Sequence, residues 1–166
     1  MALATWWASD PLMELSPLLD FHVRLADDDA QLARVNRITV AEVEQRRYAG
    51  HQPYIGFIGK TAVSYGWVAK REASIGELNL AFSIPADNCY LWDFATLPDW
   101  QGRGLYPRLL QAIVQMEGAE RFWIIHAPEN LPSGVGMQKA GFQAVGQLSF
   151  QRDNRLGLIP FDRVER

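Results

Sequence analysis

Apolar and polar residues alternate through FHVRLA at residues 21–26, which predicts a strand. Asp27, Asp28 and Asp29 follow, offering an N-cap and the negative charge that suits a helix start. Leu32, Val35 and Val43 supply part of an apolar stripe for a helical region reaching about Tyr48. PYIGFIG and TAVSYGWVAK flank Gly59-Lys60 and predict a hairpin. IGELNLAFSI reads as another strand, with a turn from Pro85 to Asn88. CYLWDFATL then forms a strand apolar on both faces, which suits a central, covered position. Leu105, Leu109, Ala112, Ile113 and Met116 recur at helical spacing, and Gly118 ends that helix. RFWIIHA at 121–127 predicts a buried strand, PENLPSGVGMQKAGF a short helix closed by Gly141, and QAVGQLSFQR a late strand. Residues 1–20, rich in Trp and Leu and cut by Pro11 and Pro17, read as an accessory arm. That arm would pack on the rest of the chain or on a second subunit; a loose terminus with a short helix fits equally well. The order of elements predicts one mixed α/β domain over 21–166.

Composition narrows the class. At 166 residues the chain suits one domain with one sizeable core. The net charge of −3 carries no basic footprint for nucleic acid or for an anionic membrane. One cysteine, Cys89, excludes an intrachain disulfide and a cysteine-based zinc site. Asp27 to Asp29 read as a helix cap, so no metal is expected. The opening MALATWWASDPLMEL lacks a basic region before its apolar part, and no apolar stretch is long enough to span a bilayer. The cytoplasm is the expected location.

The candidate chemistry sits in DWQGRGLYPRLL at 99–110. A strand, Gly102-x-Gly104 and a helix form the geometry in which backbone N–H groups converge on an anion. Glycine permits positive φ and close approach, and the helix N-terminus adds unpaired donors. Pro107 sits where a first turn tolerates a missing N–H, and Arg103 and Arg108 would add charge toward a polyphosphate. A plain strand-to-helix turn explains the same residues. The loop has no Gly-Lys-Ser/Thr, and the third glycine of a dinucleotide fingerprint would fall at Pro107.

FATLPDWQGRGLYPRLLQAIV resembles the signature of the GNAT superfamily of acyl-CoA-dependent N-acyltransferases, a loop reading Gln/Arg-x-x-Gly-x-Gly/Ala. Gln101, Gly104 and Tyr106 take its three positions, Tyr106 replacing a small residue. Downstream, NLPSGVGMQKAGF resembles the family's Asn-x-x-Ala/Ser…Gly-Phe segment through Asn130, Ser133, Gly141 and Phe142. The similarity covers roughly 21–151. It implies a central, mostly antiparallel mixed sheet with helices on both faces and a splayed strand pair that admits CoA. It implies acetyl-CoA as co-substrate and a small-molecule amine as acceptor. Backbone N–H groups of Gln101, Gly102, Arg103, Gly104, Leu105 and Tyr106 would cradle the pyrophosphate. Phe94, Ala95 and Thr96 would pair with the pantetheine arm, Asn130 would bond its amides, and Ser133 would lie beside it. Tyr106 must point its ring away from the phosphates.

Acyl transfer needs a neutral amine, a stabilised oxyanion and a proton for the leaving thiolate. The family's usual acid is a tyrosine five residues before the Phe of Gly-Phe; Met137 stands there. His126, at the end of its strand, suits acid or base work, or is a hydrogen-bonded strand terminus. Tyr90 falls at the base-bearing position that the resemblance implies, or is core. Asp93 is a carboxylate in an apolar strand, which points to a pairing partner or to amine binding. Glu129 offers a substrate contact or a solvated loop carboxylate, and Cys89 reads as a small buried thiol. A non-catalytic acyl-CoA sensor and an unrelated nucleotide-binding domain are the competing readings. Exposed tryptophans in the arm would fit a homodimer.

Overall fold

The computed structural model describes residues 1–150 and 155–161. Its strands are β1 (Ala2–Trp7), β2 (Phe21–Leu25), β3 (Gln52–Ile58), β4 (Thr61–Ala69), β5 (Glu72–Ile75), β6 (Leu80–Ser83), β7 (Asn88–Thr96), β8 (Arg121–His126), β9 (Gln143–Phe150) and β10 (Leu156–Pro160). The helices are α1 (Asp29–Asn36), α2 (Val40–Tyr48), α3 (Leu105–Glu117) and α4 (Leu131–Ala140). One sheet runs β10-β9-β1-β8-β7-β4-β3-β2, and β5 with β6 forms a separate hairpin. Among the described residues its pairings are antiparallel except β7 with β8. This is the mostly antiparallel, mixed α/β architecture that the motifs implied.

Period-two alternation sends neighbouring side chains to opposite faces. On β3, Ile55 and Phe57 pack with Leu32 and Ala33 of α1 and Val43 of α2. Tyr54, between them, faces the other way, where Leu109, Leu110, Ile113 and Val114 of α3 meet Leu91, Phe122 and Ile124. Helices therefore cover both faces. In α3 the buried stripe includes Leu105, Leu109 and Ile113 as expected, whereas Met116 is half exposed.

Residues 1–20 are not an accessory arm throughout. Residues 2–7 are β1, an interior strand hydrogen-bonded to β8 on one side and β9 on the other. Residues beyond it lie over α3 and α4, where Gln111 Nε2 donates to the Met13 carbonyl at 2.8 Å. Trp6 is buried in the core and Trp7 lies under the Arg121 guanidinium, 3.9 Å from its ring centroid, so the arm's tryptophans give no ground for a homodimer. The helical region from 29 to 48 is two helices. Arg37 takes a left-handed turn at φ 58°, and Thr39 opens α2 with a reciprocal capping box to Glu42. IGELNLAFSI is not one strand either: a 3-10 turn over Gly76–Leu78 folds it against Glu72–Ile75. The late strand extends to Phe150, and Gln151 and Arg152 fall outside the described residues.

Candidate functional site

The site begins where two neighbouring strands part. β7 and β8 pair in parallel from Asn88↔Arg121 to Leu91↔Ile124 and no further. On its other edge β7 continues along β4 to Thr96, with a register shift between Trp67 and Tyr65. The extra residue is accommodated by Asp93, whose φ of 49° is left-handed. Opposite it, a Cβ on Gly66 would lie 2.2 Å from the Phe94 ring, so this position requires glycine. Beyond Leu91 the β8-side edge of β7 is thus open, and it borders a cleft.

Asp93 is fixed in this bulge by groups distant in sequence. Its Oδ2 accepts from Arg46 Nη1 at 2.5 Å and from Asn36 Nδ2 at 3.2 Å, while Trp67 Nε1 donates to Asn36 Oδ1 at 2.6 Å. The Arg46 guanidinium lies 4.6 Å from the Trp92 ring centroid and 5.0 Å from that of Trp67. Of the two roles open to Asp93, the structure realises pairing.

The cleft has a volume of about 700 Å³. Phe94, Ala95 and Thr96 form one wall, Gln101, Gly102, Gly104, Leu105 and Tyr106 its end, and Asn130 and Ser133 the opposite wall. Gly102 and Gly104 have φ of 76° and 69°, and Gly104 starts α3 with no side-chain cap, which leaves the first-turn N–H groups to the cleft. Gln101 Nε2 donates to the Thr96 carbonyl at 3.1 Å and ties loop to strand. Tyr106 turns toward α4: its ring fills the space over Gly136, and its hydroxyl lies 3.3 Å from Ser133 Oγ. Asn130 also caps α4, accepting from Ser133 N at 3.2 Å. Arg103, expected beside the cofactor, is not among the lining residues; its guanidinium stacks 4.7 Å from the Trp100 ring centroid and donates to the Asp99 carbonyl. Arg108 likewise donates to the Gly104 and Ser16 carbonyls rather than reaching into the cleft. Sequence reasoning missed Trp100, Pro132, Val135, Gly136 and Lys139 as lining residues; the last three stand at i+3, i+4 and i+7 from Pro132, one face of α4.

The model of the Acetyltransferase (GNAT) family matches residues 18–142. This chain belongs to the GNAT family. No curated protein matches the sequence significantly. The aminoglycoside N-acetyltransferase AAC(6')-Iy in complex with CoA shares the fold, at 22% identity over 79% of this chain and 98% of that one, with a TM-score of 0.59. An acetyltransferase of Bacillus subtilis in complex with CoA is similar at 12% identity, 77% and 79% coverage and TM-score 0.59. A GCN5-related N-acetyltransferase from Kribbella flavida matches 86% of this chain at 13% identity and TM-score 0.56, and the chain spans about half (53%) of its length.

The GNAT chain's remaining candidates lie away from the cleft lining. His126 packs against α4 at Gly134, and its Nδ1 lies 2.8 Å from the Ala127 carbonyl oxygen. Tyr90 is buried on the opposite face of the sheet, edge-on to Phe82 at 5.1 Å between centroids. Burial, with Glu77 nearby, pushes its hydroxyl up to about 12, so it is no base near neutrality. Met137 is 2% exposed and points into the core beneath α4, so a side chain there does not reach the cleft. Cys89 is buried, its thiol pushed up to about 11 by burial first and Glu117 second. Among the described residues no helix of this GNAT chain is long and apolar enough to cross a membrane.

Tyr106 is also pushed up to about 12, chiefly by burial. A phenol whose folded value exceeds its unfolded value of about 10 lends stability that is complete below pH ~10 and lost as pH rises through ~12. With Tyr90 and Tyr106 both in this state, unfolding free energy should fall between those limits, by on the order of 2 kcal/mol per ring. Denaturant titrations at stepped alkaline pH check this, and Tyr90→Phe should flatten the decline.

Proposed function

We propose that this GNAT chain transfers an acetyl group from acetyl-CoA directly to a primary amine of a small molecule. The observation carrying the reading is one cleft that joins the Gly102–Gly104 turn to Phe94–Thr96, the stretch of β7 beyond its last pair with β8. Its chemistry fits CoA at each end. Positive φ at both glycines and the uncapped start of α3 suit a pyrophosphate, and beyond its chain neighbours nothing lies within 4 Å of where a Gly102 Cβ would sit. The open edge of β7 at Phe94–Thr96 suits the amides of pantetheine, with Asn130 and Ser133 facing it. Acetyl-CoA would supply an activated thioester carbonyl.

The chain's own groups do the positioning. Backbone N–H groups near Ala95 and Thr96 would polarise the carbonyl, and the open gap would let an amine approach it. The leaving thiolate, with a pKa of about 8.5, can take its proton from solvent, so the inward-facing Met137 does not block the reaction. That same Met137 motivates the alternative, an acyl-CoA sensor with no turnover. A thiol-release assay with acetyl-CoA and a broad panel of amines separates them. Release that depends on added amine is expected; acetyl-CoA binding with no release for any amine would establish the sensor.

A further inference from the structure

On the face of the sheet opposite α3 and α4, the β5–β6 hairpin roofs a cavity of about 200 Å³. Leu80 and Phe82 come from the hairpin; Tyr90, Trp123, Ile125 and Leu148 come from the sheet. The walls are hydrocarbon and aromatic carbon, Ser83 apart. Trp123 adds no loose polar group, because its Nε1 donates to Asn88 Oδ1 at 2.8 Å.

Position gives this cavity its meaning. Tyr90 and Ile125 flank Leu91↔Ile124, the last pair before β7 and β8 separate. Trp92, the next residue of β7, packs on the same apolar cluster, and Phe94 already borders the CoA cleft. The Gly102–Gly104 turn belongs to the start of α3, which packs on the other face. A thioester laid along β7 from that turn would reach the gap from the α3 side, leaving the hairpin side for the attacking amine. Resting on the acetyltransferase reading, we infer that this cavity receives the apolar group of the acceptor, a primary amine carrying an aryl or compact alkyl substituent.

An apolar cavity is poorly hydrated, so a phenyl or branched alkyl group enters without displacing strongly held water. A polycation would instead strip water from ammonium groups against hydrocarbon. The chemistry balances without a further reagent. The neutral amine nitrogen forms a bond to the thioester carbon, the carbon–sulfur bond breaks, the nitrogen gives up one proton and the thiolate gains one.

The test compares phenethylamine, ethylamine and spermidine at saturating acetyl-CoA, in the full chain and in Leu148→Trp, which fills the cavity from β9. Phenethylamine should exceed ethylamine in kcat/KM by about tenfold or more, and Leu148→Trp should bring the ratio close to one. The acetyl-CoA melting shift reports whether the variant is folded. Phe82→Ala, acting from the roof, should move the preference toward a bulkier naphthyl amine. Equal or better turnover of ethylamine or spermidine would overturn the inference. So would a Leu148→Trp variant whose selectivity changes between acetyl-CoA and octanoyl-CoA rather than between amines, since the cavity would then hold an acyl chain. If acetyl-CoA binds and no amine is turned over, the acetyltransferase reading fails alone. Phenethylamine must then still raise the melting temperature of wild type but not of Leu148→Trp, and no such shift overturns the cavity assignment.

Discussion

Gly104→Glu is expected to melt at the same temperature with and without acetyl-CoA, while the unaltered chain gains about 5–10 °C. At about 100-fold excess of ligand over its Kd, linkage contributes about 2.7 kcal/mol, and for a domain of this size each kcal/mol raises the midpoint by about 2–4 °C. The substitution acts in two ways. It places a carboxylate where the turn and the start of α3 present N–H groups to an anion, so the side chain competes with the pyrophosphate and repels it. It also puts an L side chain at φ 69°, with its Cβ 2.6 Å from Arg108 Nη1. Arg108 is flexible and can release the Gly104 carbonyl, so the backbone term alone should cost about 1–2 kcal/mol in the unliganded chain. The two effects separate in one scan: a modest drop without ligand, and a lost shift with it. A full shift retained in the variant would show that the turn does not hold the phosphates.

Gly66→Val should disrupt the sheet and the cleft together. A Cβ there would sit 2.2 Å from the Phe94 ring, and Phe94 is braced on its other side by Tyr106, edge-on at 6.0 Å between centroids. Tyr106 in turn fills the space over Gly136, where a Cβ would lie 2.3 Å from its ring. With no room to rotate, the ring must shift the bulge of β7. Overpacking of this kind costs about 1–3 kcal/mol, and the displaced wall would narrow the cleft, so acetyl-CoA binding should weaken together with stability. Phe94→Ala on the Gly66→Val background should recover part of the loss, giving a coupling of about 1 kcal/mol or more by double-mutant cycle. Additive losses would mean that the two residues do not meet.

The parts of this protein that were legible in its sequence are those whose cause is local. Gly102, Gly104, Pro107 and Gly118 announce the turn and the two ends of α3, and the structure puts each where its backbone preference requires. The doubly apolar CYLWDF reads as an interior strand because it is covered from both faces. The rest depends on partners that a pattern cannot name. Asp93 stood out as a carboxylate in an apolar strand, yet nothing near it in sequence points to Asn36 and Arg46, which belong to the helices across the sheet. The acid position inherited from the motif turned inward because Met137 lies on the α4 stripe that meets Leu110 and Phe142 in the core. The break between α1 and α2 had a readable sign in Thr39-x-x-Glu42, a capping box inside what looked like one helix. ALATWW gave no alternation at all, since an interior strand apolar on both sides has none to show.

The placement of β1 sets the order in which this protein can be completed during synthesis. Its residues leave the ribosome well before those of β8 and β9, for Ala2 faces His126 and Gln147. Until then the strand is an unpaired apolar template, and closing so long a loop comes late in folding. A nascent chain halted after α3 would hold β2, β3, β4 and β7 while β1 still lacked both neighbours, a state prone to capture by other exposed edges. Only the arrival of β8 and β9 removes that hazard. The burial of β1 therefore reports that both β8 and β9 have been made.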